Sequence, residues 1–171
     1  GVTISYDALK VGVYGAEIDN TTASTADSQR DNFEGVWYAK YSFGPVSIGY
    51  SESYLENGVA DTNDAPEAAT AAKTVRTATG IFASDSYSIA FNVNDNLSIS
   101  YTETEDTYDA QSNVKGGTEI EDVTQETEAL QVAYSMGAMS VKAYTMETTN
   151  PGYDSDAAKL NVTEIALGLS F

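Results

Sequence analysis

The chain has 171 residues, with 8 Lys+Arg against 26 Asp+Glu and a net charge of −18. That length suits one domain, 1–171, and the acidic balance argues against nucleic-acid partners and against direct adhesion to anionic surfaces. There is no Cys and no His, which excludes disulfides, thiolate metal sites and Ser-His-Asp or Cys-His catalysis. No apolar run of about 18 residues offers a transmembrane helix, but alternating strands escape that criterion.

Taken in order, the chain alternates. Val2, Ile4 and Tyr6 share one parity, with Thr3, Ser5 and Asp7 on the other. A turn at Asp7-Ala8 leads into Leu9, Val11 and Val13, in a strand running to about Ile18. Residues 19–32, rich in Asn, Thr, Ser and Asp, read as a loop. Phe33 to Phe43 is the next strand, with Trp37, Ala39, Tyr41 and Phe43 on one face, and Gly44-Pro45 is a two-residue turn. Val46, Ile48, Tyr50 and Tyr54 continue that face against Ser47, Gly49, Ser51 and Ser53.

Residues 56–80 form the longest loop, where Asp64 as N-cap and Glu67 three residues on predict a short helix. Ile81 to Val93, the turn Asn94-Asp95-Asn96, and Leu97, Ile99 and Tyr101 make another hairpin. Residues 105–125 read as a second long acidic loop. Leu130, Val132, Tyr134 and Met136 run into a turn at Gly137-Ala138, and Met139, Val141 and Ala143 run out of it. A loop over 148–158 precedes the last strand, in which Ile165, Leu167, Leu169 and Phe171 alternate with Glu164, Ala166, Gly168 and Ser170. Strict period-2 alternation is the mark of a half-buried strand.

The connections also alternate, short then long, throughout nine expected strands. A soluble sandwich has no reason to gather every long loop at one end; a transmembrane barrel does. Two all-β architectures are therefore weighed: an antiparallel transmembrane β-barrel, and a secreted soluble β-sandwich serving as an adhesin or carbohydrate-binding module.

The terminal alternation ending in Phe171, with the hairpins 41–50, 91–101 and 134–144 built on one plan, resembles the general diffusion porins of Gram-negative bacteria, especially the alphaproteobacterial type. The resemblance implies a water-filled channel for small hydrophilic solutes and ions in the outer membrane. It also implies a homotrimer of barrels of about sixteen strands. Ile165, Leu167, Leu169 and Phe171 would then be the signal read by the barrel assembly machinery. Nine strands fall short of that number, so the chain reads as the C-terminal part of a barrel, with about seven strands and a secretory signal expected before Gly1.

On this reading the small polar parity lines the lumen: Ser51, Ser88, Ser100, Gln131 and Glu164, interrupted by Lys10, Lys40 and Lys142. The three lysines, each near a short turn, read as a basic patch on the pore wall. In the family, wall cations face acids on an inward-folded loop. That loop belongs to the first half of the family's chain, so it is expected to lie outside this one. On the lipid-facing parity the apolar run ends in acids at Glu17, Glu52, Asp85, Glu103, Glu128 and Glu147. Glu52, Glu103, Glu128 and Glu147 are candidates for a carboxylate belt bridged by Ca²⁺ or Mg²⁺ to lipopolysaccharide phosphates. Asp61-Thr-Asn-Asp64 and Asp154-Ser-Asp156 are oxygen-rich but lack the spacing of an EF-hand. No enzyme activity and no organic cofactor are expected; the acids cluster in loops, the pattern of a solvated face, although paired carboxylates for glycoside hydrolysis stay open on sequence grounds.

Overall fold

The computed structural model of the chain describes residues 1–18, 32–56, 80–110 and 121–170. Their nine strands are β1 (Val2–Tyr6), β2 (Leu9–Ile18), β3 (Asn32–Phe43), β4 (Val46–Glu56), β5 (Gly80–Asn94), β6 (Leu97–Ala110), β7 (Val123–Met136), β8 (Met139–Thr149) and β9 (Leu160–Leu169). They form one antiparallel sheet in sequence order, β1 to β9, and β1 and β9 are its two edges. The helix expected near Asp64, the Asp61–Asp64 cluster and the terminal Phe171 lie outside the described residues.

The tight turns follow their chemistry. Asp7, Gly44 and Gly137 sit at φ of 50°, 53° and 57°, the left-handed region open to glycine and tolerated by Asp. In the remaining turn the Asn94 side-chain oxygen accepts from the backbone N–H of Asn96 and Leu97 at 2.9 and 3.0 Å, as an Asx turn does. Each turn also gives a carbonyl to the neighbouring hairpin. Ala8, Pro45, Asn96 and Ala138 accept from Ser42, Asn92, Ser135 and Ser170 at 2.8–3.1 Å.

One expectation is corrected. The acidic loop placed over 105–125 is strand at both of its ends: β6 continues to Ala110 and β7 begins at Val123, paired up to Tyr108 opposite Val123. Acidic residues alone do not end a strand whose other residues suit a pleated surface. Here Thr107 and Thr124 hydrogen-bond across the pair at 2.9 Å, and Tyr108 is only 2% exposed. The other boundaries lie within a residue or two of those expected.

Successive hairpins are staggered in one sense. Leu9 of β2 faces Tyr41, two residues short of the end of β3. Val46 of β4 faces Phe91, three residues short of the end of β5. Leu97 of β6 faces Tyr134, two residues short of the end of β7. Seven residues over six strand-to-strand steps, at ~3.3 Å per residue and ~4.8 Å between strands, incline the strands by about 40°.

Among the described residues the sheet has almost no core: Tyr108 is its one buried apolar side chain. The exposed large apolar residues, Tyr14, Val36 and Leu160 apart, all belong to one face, from Val2, Ile4 and Tyr6 on β1 to Ile165, Leu167 and Leu169 on β9. Aromatic contacts knit this face: Trp37 meets Tyr50 edge-on at 5.2 Å, and Tyr50 meets Tyr87 at 4.8 Å.

Candidate functional site

The opposite face is hydroxylic. Ser51, Ser86, Thr104, Thr127 and Thr148 are consecutive cross-strand partners from β4 to β8. Within this row Ser86 and Thr104 hydrogen-bond at 3.0 Å, and Thr127 and Thr148 at 3.2 Å. Ser100, Gln131, Tyr144 and Glu164 form a lower row, in which the Tyr144 hydroxyl donates to Glu164 at 3.2 Å. Ser88 faces Gly49 and Thr102 in the row between. The residues expected on the polar face are therefore on it. A Cβ at Gly49 would come within 2.6 Å of the Ser88 hydroxyl, and one at Gly12 would run into the Tyr38 ring. Both glycines let a neighbouring side chain lie flat on the backbone.

The lysines are not one patch. Lys10 and Lys40 are direct partners across β2 and β3, an arrangement of like charges that costs stability. Lys10 lies 5.9 Å from the centre of the Tyr38 ring, within cation–π range. Lys142 stands apart on β8, between Ala133 and Ala166. Through the stagger it shares a height with Lys40, each being three residues from its tight turn.

On the apolar face the acids form two adjoining rows. Glu103, Glu128 and Glu147 are consecutive partners on β6, β7 and β8; Glu52, Asp85, Glu105 and Glu126 are consecutive partners on β4 to β7. Glu52 is thus in a different row from the other three candidates. Among the described residues no group of three carboxylates has a geometry suited to a metal ion. The rows are instead held by neutral donors and one cation. Trp37 Nε1 donates to Glu52 Oε2 at 2.5 Å, and the Tyr50 hydroxyl lies 2.6 Å from Glu52 Oε1 and 2.8 Å from Asp85 Oδ1. Tyr101 donates to Glu103 at 3.3 Å. Lys159 Nζ lies 2.5 Å from Glu147 Oε1. That hydrogen bond, then the nearby negative charge of Glu147, Glu128 and Glu126, raises the Lys159 pKa above its ordinary value.

The β8–β9 connection contributes an element that the sequence reading missed. Asn150, Gly152 and Tyr153 have φ of 51°, 72° and 59°, and these left-handed residues turn the chain back over the polar face. Asn150 Nδ2 donates to the Thr124 carbonyl at 2.8 Å, and the Gly152 N–H donates to Gln125 Oε1 at 2.8 Å. Tyr153 then packs on Phe82 of β5 and Tyr108 of β6, with ring centres 5.5 and 5.6 Å away. Burial, and secondarily the Asp106 carboxylate, push its hydroxyl pKa up. Asn150-Pro-Gly-Tyr153 carried the available signal: turn-forming residues leading straight to an aromatic side chain. The Asp154-Ser-Asp156 segment closes on itself, with the Asp156 N–H donating to Asp154 Oδ1 at 3.0 Å.

Beside Tyr153 the polar face holds a cleft of about 600 Å³, whose lining includes Tyr14, Glu34, Phe82, Ser84 and Asp106. No protein-family model, no curated protein and no solved structure matches the chain.

Proposed function

We propose that the chain forms wall strands of an outer-membrane porin that passes small hydrophilic solutes and ions by passive diffusion. The observation that carries this reading is the apolar face. Nine strands in a single meander present a continuous apolar surface with no second layer over it among the described residues. Burying one Val, Leu, Ile or Phe is worth about 1.5–3 kcal/mol, so a face of this extent calls for a nonaqueous partner. A sandwich would supply a second sheet, and a membrane supplies lipid. Lipid offers no hydrogen bonds, so such a wall has to close on itself through paired strands, and an inclination of about 40° is the one transmembrane barrels use.

The distribution of side chains supports the same reading. Trp37, Tyr50, Tyr87 and Tyr101 lie next to the acid rows, as aromatic residues do at a membrane–water boundary. Below them the face is apolar to the tight turns; the acid rows mark where hydrocarbon would end. The small hydroxylic residues opposite leave space for water. Outer-membrane location, lipid and lipopolysaccharide contact, delivery by the barrel assembly machinery and trimer formation belong to this proposal.

Two experiments test it. The protein is expected in the membrane fraction until detergent is added, with heat-modifiable gel mobility. In planar bilayers it should open steady ohmic channels. Recovery as a folded, detergent-free soluble monomer would reject the reading.

A further inference from the structure

The cleft beside Tyr153 combines three features that nothing in a plain diffusion wall requires. Its aromatic sides come from distant parts of the chain: Tyr14 on β2, Phe82 on β5 and Tyr153 on the β8–β9 connection. Two carboxylates, Glu34 on β3 and Asp106 on β6, line it, and among the described residues no Lys or Arg does. Tyr153 is presented by a turn in which Asn150, Gly152 and Tyr153 are left-handed, fixed by hydrogen bonds to Thr124 and Gln125. Strain of this kind persists only where the surroundings hold it.

We infer that this cleft is a recognition site for small organic cations bearing an apolar or aromatic group, such as arylalkylammonium ions. The argument is one of complementarity. A cleft of about 600 Å³ falls within the size range of small-molecule sites. Aromatic faces attract ammonium groups electrostatically, more strongly when water is displaced. Carboxylates on two sides add long-range attraction and disfavour anions. A metal ion needs several converging oxygen ligands, and among the described residues no group of three or more Asp or Glu side chains is placed to hold one. The site rests on reading the polar face as water-filled, and it narrows the general solute class to a preferred one.

The test uses the full chain, folded in detergent at low ionic strength, with benzyltrimethylammonium as the probe and calorimetric titration as the readout. The parent protein should bind it, while benzyl alcohol and benzenesulfonate should bind at least tenfold more weakly. Asp106→Asn and Glu34→Gln should each weaken binding several-fold and together at least tenfold. Tyr153→Ala should weaken it several-fold, and Asp95→Asn, at the opposite end of the sheet, should leave it unchanged. Circular dichroism of each variant separates loss of binding from loss of fold, and the two carboxylate variants lie on different strands. No binding by the parent, equal binding of benzyl alcohol, a preference for maltose, or insensitivity of the folded variants to the charge removals would each overturn the inference. Conductance in bilayers is measured separately. Channels without cation binding would reject this site alone, whereas binding without channels would reject the porin reading.

Discussion

Trp37 and Glu52 are direct cross-strand partners, and the indole N–H donates to the carboxylate at 2.5 Å. The pair sits where the apolar face gives way to acids, and Trp37 is the one tryptophan of the chain. Its fluorescence therefore reports a single level of the sheet. In bilayers its emission should be quenched by acyl chains brominated near the headgroup, and less by chains brominated near their ends. Equal emission with brominated and ordinary lipid would mean that this face does not meet hydrocarbon.

A second prediction concerns the lysines. Lys10 and Lys40 are neighbours, whereas Lys142 is remote. Replacing Lys10 and Lys40 with Gln should move the reversal potential toward cation preference at low salt. Lys142→Gln should add its own shift independently, since sites this far apart do not couple. Both shifts should fade near 1 M salt, where the Debye length is about 3 Å. An unchanged reversal potential at low salt would remove these lysines from the permeation path.

Lys159 offers a pH test. Its pKa is raised in the folded protein by Glu147, so the protonated form is favoured by folding. The sign follows: this contribution is fully present below the unfolded lysine pKa and is lost as pH rises through the higher folded value. Glu147→Gln should return the Lys159 titration, followed by NMR, toward the ordinary value. Both partners are well exposed, at 57% and 43%, so thermal stability at neutral pH should change little.

Gly12 is buried beneath the Tyr38 ring. Gly12→Ala should destabilise the protein by about 1–3 kcal/mol, the usual cost of overpacking. In a Gly12→Ala/Tyr38→Ala double variant the ring is gone and the clash with it. The double-mutant cycle in urea should therefore show strong non-additivity; strictly additive effects would mean that the ring does not rest on Gly12.

The strand plan was legible because each strand's alternation agrees with its turn chemistry: Asp7-Ala8, Gly44-Pro45, Asn94–Asn96 and Gly137-Ala138 all close hairpins as read. The parity of Ser51, Ser88, Ser100, Gln131 and Glu164 was legible for the same reason, since a one-residue slip would reverse every side chain. The extension of β6 to Ala110 was hidden, because Glu105, Asp106 and Asp109 look like loop residues until their strand partners are known. The separation of Lys142 from Lys10 and Lys40 depends on how many strands lie between them, and height above a turn does not contain that. The Tyr153 cleft joins residues of β2, β3, β5 and β6 with a connection, a juxtaposition that local pattern does not encode.

The stagger between hairpins has a consequence for the hydroxyl row. Ser51 lies five residues from the turn end of β4, and Thr148 lies nine from the turn end of β8. At the strand inclination described, the row climbs about 10 Å between them. The hydroxyls thus form a ramp across the sheet, not a level row. On the porin reading proposed above, a hydrophilic solute following it would exchange one hydrogen-bond partner at a time, so the loss of any single hydroxyl would interrupt a staircase at one step and leave the steps above and below in use.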